Sequence, residues 1–154
     1  MQMEETFDEF ADKLQELLLQ EAKEVYGKIA YERWLNPKYQ GVMEDADGFA
    51  YRTGSCGESM GIYLKFTNQL VEKASYMTDG CASSNICGSF TVEMAIGKNP
   101  DELLEIIPNE ITKKAGGLPD QDRHCAELAS GVLHAALEDY MIKGRDNDNK
   151  HSKR

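Results

Sequence analysis

No stretch of this chain approaches the roughly 18 consecutive apolar residues that a membrane-spanning helix needs, so nothing in it reads as a span. Basic residues are few: 17 lysines and arginines stand against 27 aspartates and glutamates, for a net charge of −10. Such a chain repels nucleic-acid phosphates and anionic lipid surfaces, which argues against both as partners and leaves metal ions and cationic surfaces. Plain solubility explains the acidity equally well. The opening residues, Met1-Gln2-Met3-Glu4-Glu5-Thr6-Phe7, have neither the basic start and apolar continuation of a secretory signal nor the arginine of a transit peptide. The expected compartment is therefore the cytoplasm. Proline occurs only four times, so helical and strand patterns are broken at few, definite places. There is no Cys-x-x-Cys pair, which excludes a zinc ribbon. The four cysteines, Cys56, Cys81, Cys87 and Cys125, are dispersed; in a reducing compartment that means metal ligands, reactive thiols or small buried apolar residues rather than two disulfides.

What is present reads as one domain. Phe7, Phe10, Ala11, Leu14, Leu17, Leu18, Val25 and Ile29 recur at spacings of three and four, with a gap near Ala22, predicting an amphipathic helix over residues 1–30 with a break at Gly27. Residues 36–48 carry Pro37, Gly41 and Gly48 and read as loop, with Glu44, Asp45 and Asp47 as a solvated acidic cluster. Phe49, Tyr51 and Thr53 suggest a short strand, and Met60, Ile62, Leu64 and Phe66 alternate cleanly as a second. A weak turn at Asn68-Gln69 leads to a third, with Ala74, Tyr76 and Thr78 on one face and Glu72 disturbing the alternation. Short connections imply an antiparallel meander. Gly80 ends the strand. Ser83 or Ser84 is expected to cap a helix running to Ile96, Asp101 to open a short helical piece through Ile107, and Asn109 to cap another ending at Gly116-Gly117. The strongest pattern comes last: Cys125, Leu128, Ala129, Val132, Leu133, Ala136, Leu137, Tyr140 and Met141 form one helical stripe. Residues 144–154 are polar and expected to be a disordered tail. The expected class is α+β, a three-stranded antiparallel sheet packed against helices, with an N-terminal helix and a long C-terminal one.

Three cysteines sit where chemistry is favoured. Cys56 lies in the Gly-bordered loop Gly54-Ser55-Cys56-Gly57-Glu58, where the backbone can approach an ion closely. Cys81 follows Asp79-Gly80 at a strand-to-helix junction, and Cys125 follows His124 at a helix start. A helix N-terminus favours thiolate, the form that binds metal and attacks sulfur. Three thiols and the Glu58 carboxylate would make a three-sulfur, one-oxygen site. The alternative is three separate buried cysteines, common for this residue type. Cys87 shares a helix face with Phe90 and Met94 and reads as a core residue, with a spare ligand as the minority reading. His134 reads as a surface or packing residue, His151 as part of the tail, and Tyr31 and Trp34 as packing for the first helix.

Read together, Asn36-Pro37-Lys38-Tyr39-Gln40-Gly41, Cys56-Gly57-Glu58, Gly80-Cys81-Ala82-Ser83-Ser84, His124-Cys125 and the ending from Leu133 to Tyr140 resemble the IscU/NifU N-terminal family of iron–sulfur cluster scaffolds. The resemblance covers about residues 31–143. It implies a three-stranded antiparallel sheet with helices on one side, and a [2Fe–2S] cluster built from iron on Cys56, Cys81, Cys125 and either Glu58 or His124. It further implies sulfur delivered by a cysteine desulfurase and accepted at Cys125, zinc in the cluster-free form, transfer to apo iron–sulfur acceptors, and a homo-oligomer as an open possibility. Three departures stand out. Glu58 replaces the family aspartate. Leu118-Pro119-Asp120-Gln121-Asp122 replaces a Leu-Pro-Pro-Val-Lys segment read by a dedicated Hsp70-type chaperone, and the acid in place of lysine argues against that partner. Cys87 stands where relatives carry a small hydroxyl residue. The rival readings are a zinc-dependent sulfurtransferase using the same residues, a cysteine-nucleophile hydrolase, which the adjacency of His124 and Cys125 disfavours, and a structural zinc protein.

Overall fold

The computed structural model describes the backbone from Thr6 to Ser152; expectations resting on the first five residues, on the side chains of Ala22, Val25 and His151, and on residues 153–154 lie outside the described residues. Helix α1 (Phe7–Leu35) starts at a capping box in which Thr6 and Glu9 each accept the other's backbone N–H. The expected break is at Gly27, whose φ of +79° and ψ of 171° no side-chain-bearing residue adopts cheaply. Beyond it the helix docks: Ala30 is fully buried, Trp34 packs with Ile86, Phe90 and Ala115, and Arg33 binds Ser89 and Glu93 at 3.0 Å each while lying over the Phe90 ring. Just before the break Tyr26 also docks, accepting from the Ser83 hydroxyl at 3.1 Å and packing against the same cluster. Phe7, Phe10, Leu14, Leu17 and Leu18 are all exposed, so the predicted apolar stripe exists without a covering surface among the described residues.

Strands β1 (Gly48–Thr53), β2 (Ser59–Thr67) and β3 (Leu70–Thr78) form an antiparallel meander in the order β1-β2-β3. Met60, Ile62 and Leu64 of β2 point inward, as their alternation requires, opposite Ala50 of β1 and Tyr76 and Ala74 of β3. Asn68 and Gln69 both have positive φ and close a two-residue hairpin. The misfit at Glu72 is a bulge: Lys65 pairs with Lys73 but Phe66 with Val71, so Glu72 is the extra residue and Val71 returns to the core. Asp47 is more than a solvated acid, since its carboxylate accepts the Phe66 N–H at 2.8 Å beside that bulge.

Helices α2 (Ala82–Ala95), α3 (Pro100–Leu103), α4 (Pro108–Lys114) and α5 (Arg123–Ser152) cover one face of the sheet. Gly48 is required where β1 meets α5, because a Cβ there would lie 2.4 Å from the Ala136 carbonyl. Caps differ from expectation. Cys81 itself is the N-cap of α2, with Ser83 and Ser84 buried in its first turn, and α4 begins at Pro108 after Ile107, not at Asn109. Pro108 explains the latter: its missing N–H and fixed φ suit the first helical position. The last helix continues to Ser152 instead of ending near Lys143. Polarity alone does not stop a helix, and pairs such as Lys143–Asp139, 2.8 Å apart, support its outer turns. Leu128 and Tyr140 are part of the packed face, whereas Met141 is exposed. No helix among the described residues is long and apolar enough to cross a membrane.

Candidate metal centre

Three segments meet at one end of the sheet: the β1–β2 loop, the β3–α2 junction and the start of α5. The first is held by Gly54, whose N–H reaches the Glu58 carbonyl at 2.7 Å, and by Gly57, whose N–H reaches the Gly54 carbonyl at 3.1 Å with φ at +85°. It is then tied to the second. Ser59 N–H donates to Asp79 Oδ1 at 2.7 Å, and Thr78 Oγ1 donates to the Ser59 carbonyl at 2.6 Å while accepting from Gly80 N–H at 3.1 Å. The Cys56 and Cys81 loops therefore move as one unit.

Glu58 is the centre of the arrangement. Its ligand atom lies within 4.8 Å of those of Cys56 and His124 on one side and of Cys81 and Cys125 on the other, giving two overlapping triads that share a carboxylate. All five candidate site residues are thus brought together, although no single group among the described residues contains all three thiols. The Ser84 hydroxyl donates to Glu58 Oε2 in a short bond, and Cys81 N–H approaches Oε1 at 3.4 Å. The Ser84 bond foremost, then the Cys81 groups and His124, hold the Glu58 carboxyl below its ordinary range, so it is ionised at neutral pH. Gly80 makes room for this contact: a Cβ there would stand 2.6 Å from Ser84 Oγ and 3.0 Å from the Glu58 carboxyl carbon.

The thiols differ in access. Cys56 and Cys81 are exposed; Cys125 is fully buried, with Sγ 3.5 Å from Ser84 Oγ, 3.5 Å from His124 Nε2 and 3.8 Å from Glu58 Oε2. Burial pushes the Cys125 thiol up to about 12, despite the lowering effect of the Ser84 hydroxyl. The helix start was expected to make it a thiolate. Desolvation, reinforced by Cys81 and the carboxylates of Glu58 and Asp122, outweighs that field. Cys87 is fully buried in the core, belongs to neither triad and is pushed well above the ordinary thiol range by the same desolvation. His134 Nε2 meets the Leu103 carbonyl at 3.1 Å, a packing role.

Ser84, Thr78, Asp79 and Gly80 complete the centre, and the sequence reading assigns none of them a role in the site. Asp79-Gly80 reads as a strand end and Ser84 as a possible cap, but Asp79 and Ser84 make their contacts to a loop twenty or more residues away, which spacing does not encode. Thiol, carboxylate and imidazole together suit iron or zinc better than calcium or magnesium, which prefer all-oxygen sites.

Residues 25–147 match the family model described as the NifU-like N terminal domain. The chain is 36% identical over 121 residues to the iron-sulfur cluster assembly scaffold protein IscU 1 of Archaeoglobus fulgidus, covering 77% of this chain and 78% of that protein. It is 34% identical to the IscU scaffold protein of Aquifex aeolicus, covering 77% of each. Among solved structures, a NifU-like N-terminal protein from Brucella abortus superposes with a TM-score of 0.63 at 20% identity, covering 79% of this chain and 98% of that one. A putative scaffold for the SUF system from Fervidobacterium islandicum gives 0.61 at 20% identity, covering 75% and 98%; at that identity both likenesses concern the fold alone.

Proposed function

The chain belongs to the NifU-like N-terminal domain family, and on that premise we propose that it is a scaffold on which an iron–sulfur cluster is assembled and from which it is passed on. The observation that carries the proposal is the pair of triads sharing Glu58. A two-iron cluster needs four terminal ligands; Cys56, Cys81, Cys125 and either Glu58 or His124 supply them, and the shared carboxylate leaves room for more than one ion. The cargo is a [2Fe–2S] cluster, the sulfur donor a cysteine desulfurase, and the recipients apo iron–sulfur proteins.

Sulfur arrives as a persulfide on the donor's cysteine. A scaffold thiolate attacks its outer sulfur, a new S–S bond forms on the scaffold, and the donor leaves as a thiolate. Two such sulfurs need four electrons to become sulfide: the two ferrous ions give one each and become ferric, and an external one-electron reductant of the ferredoxin class supplies the other two. The accepting role expected of Cys125 passes to the exposed Cys56 and Cys81, since an incoming persulfide reaches neither a buried sulfur nor a thiolate at Cys125. Cys125 serves as a ligand, losing its proton to the metal. Glu58 offers hard oxygen to iron already softened by sulfur, which keeps the cluster exchangeable.

Anaerobic reconstitution with ferric iron and sulfide tests the proposal. A visible absorption spectrum with two irons and two sulfides per chain is expected. Zinc bound at stoichiometry with no cluster formed would favour a zinc-dependent sulfurtransferase on the same residues. Glu58→Ala should still take up a cluster but transfer it to apo-ferredoxin more slowly; equal or faster transfer would refute the role given to Glu58.

A further inference from the structure

Helix α2 carries four buried hydroxyls, and three of them have ordinary structural partners. Ser83 donates to the Tyr26 hydroxyl at 3.1 Å, Ser89 to the Lys38 carbonyl at 2.8 Å and Thr91 to the Cys87 carbonyl at 2.6 Å. Ser84 is different. It is fully buried in the first turn, yet the N-cap of α2 is Cys81 and Ser84 does no capping. Among the described residues its hydroxyl meets only two groups, the Glu58 carboxylate and, at 3.5 Å, Cys125 Sγ. Both belong to the triad of Glu58, Cys81 and Cys125.

Glu58 needs such a partner. A glutamate has one more rotatable bond than an aspartate, and this one ends a loop that holds Gly54 and Gly57. A free side chain loses that mobility when it meets a metal, which lowers affinity. Here both oxygens are already held: Oε2 by Ser84, and Oε1 by the Cys81 N–H at 3.4 Å. An ionised carboxylate accepts at about four lone-pair sites, so each oxygen keeps one for a metal. A hydroxyl has one proton, and the shorter of the two Ser84 contacts, the one to Glu58, takes it. An aspartate is shorter by one carbon–carbon bond, about 1.5 Å, and its carboxylate would fall short of a hydroxyl fixed on α2.

On the reading that Glu58 is a ligand of the scaffold site, we propose that Ser84 is a positioning residue for metal capture, matched in reach to Glu58. Its hydroxyl sets the longer carboxylate between the two triads, where an aspartate would be too short to be held. The glutamate that departs from the family aspartate and the buried hydroxyl opposite it are then a single feature. Removing the hydroxyl takes no ligand away; it frees the side chain of one. Loss of an outer contact of this kind lowers metal affinity by about 10- to 100-fold.

A double-mutant cycle on the full chain tests this, with zinc alone as the probe and a chromophoric chelator as competitor. Ser84→Ala should weaken zinc binding at least about tenfold with unchanged circular dichroism. Glu58→Asp should weaken it to a similar extent. Adding Ser84→Ala to Glu58→Asp, or to Glu58→Ala, should change it by less than about twofold further. With cobalt(II) in place of zinc, Ser84→Ala should keep the thiolate-to-metal charge-transfer intensity of wild type and shift the ligand-field bands, because the thiols stay and the oxygen donor loosens. Unaltered zinc affinity in Ser84→Ala would overturn the proposal. So would an equal loss in the Glu58→Ala background, which would assign Ser84 to the fold or to Cys125, and so would unshifted cobalt bands. These readouts need no cluster, so a wild type that binds zinc but assembles none would end the scaffold reading while the cycle still decides the role of Ser84.

Discussion

Alkylation of the four thiols separates the roles assigned to them. Iodoacetamide reacts with thiolate. At pH 8 a thiol of ordinary pKa is about one-quarter ionised, whereas Cys125, pushed up to about 12, is about 0.01% ionised. Ionisation alone therefore slows Cys125 in the folded chain by roughly 2,000-fold relative to the same thiol in urea. The more basic thiolate is the better nucleophile, and a Brønsted slope of about 0.4–0.5 returns roughly 25- to 50-fold of that loss. The net retardation is roughly 50- to 100-fold before steric burial adds to it. The assay is a quenched time course on reduced, metal-free protein, read by peptide mass spectrometry, with a parallel course in urea. Cys56 and Cys81, being exposed, should label first, with Cys125 and Cys87 far behind. A native rate at Cys125 within tenfold of its urea rate would refute the reasoning and return it to contention as the first sulfur acceptor.

Buried neutral thiols also set a pH dependence. Both Cys87 and Cys125 have folded values raised above the unfolded ones, so their stabilising effect is fully present below about pH 8.5 and is lost as pH rises toward the folded values. Urea midpoints of the metal-free protein between pH 7.5 and 10 should fall, with each thiol contributing up to about 1.4 kcal/mol per pH unit. Cys87→Ala and Cys125→Ala should each have a shallower slope than wild type, and equal slopes would contradict the assignment. Gly80→Ala should weaken zinc binding at least tenfold and also lower the thermal midpoint, since its Cβ would displace the buried Ser84 and the Glu58 carboxylate; unchanged binding would show that this contact is not needed. Cys87→Ala should reconstitute a cluster with a normal spectrum, and loss of the cluster in a folded variant would make Cys87 a ligand.

How much of this was readable in advance depends on the range of the interaction. The α5 stripe and the β2 alternation are local periodicities driven by burial, and both elements stand where they were expected. The bulge at Glu72 showed in the sequence only as a misfit, because its cause is the register against β2. On α1 the periodicity was correct, but periodicity says that a face is apolar and not what covers it. At the centre, the metal-binding residue types were legible, but the division of the three thiols between two triads that share Glu58 was not. Nor was the state of Cys125. A helix N-terminus is a sequence-level signal for thiolate, whereas the burial that reverses it comes from Ser84, the first turn of α2 and the core beneath.

That reversal bears on release as well as capture. To hold a metal, Cys125 must give up a proton it would otherwise keep to about pH 12. Relative to an ordinary thiol this costs on the order of 5 kcal/mol of the metal–sulfur bond, so the buried sulfur is a weaker anchor than its burial suggests. Proton return on departure then favours letting the cargo go, in the same direction as the oxygen donor at Glu58. The consequence is measurable with zinc as the probe. At pH 9 an ordinary thiol is mostly ionised and contributes little proton release on binding, whereas Cys125 is still protonated and contributes about one. In weakly buffered solution with indicator dye, saturating wild type with zinc should release about one proton more per chain than saturating Cys125→Ala. Below that pH, wild-type affinity should fall more steeply with acidity than that of the variant. Identical proton release from the two chains would mean that Cys125 is either already a thiolate or not a ligand, and either result would remove the proton-coupled release argued here.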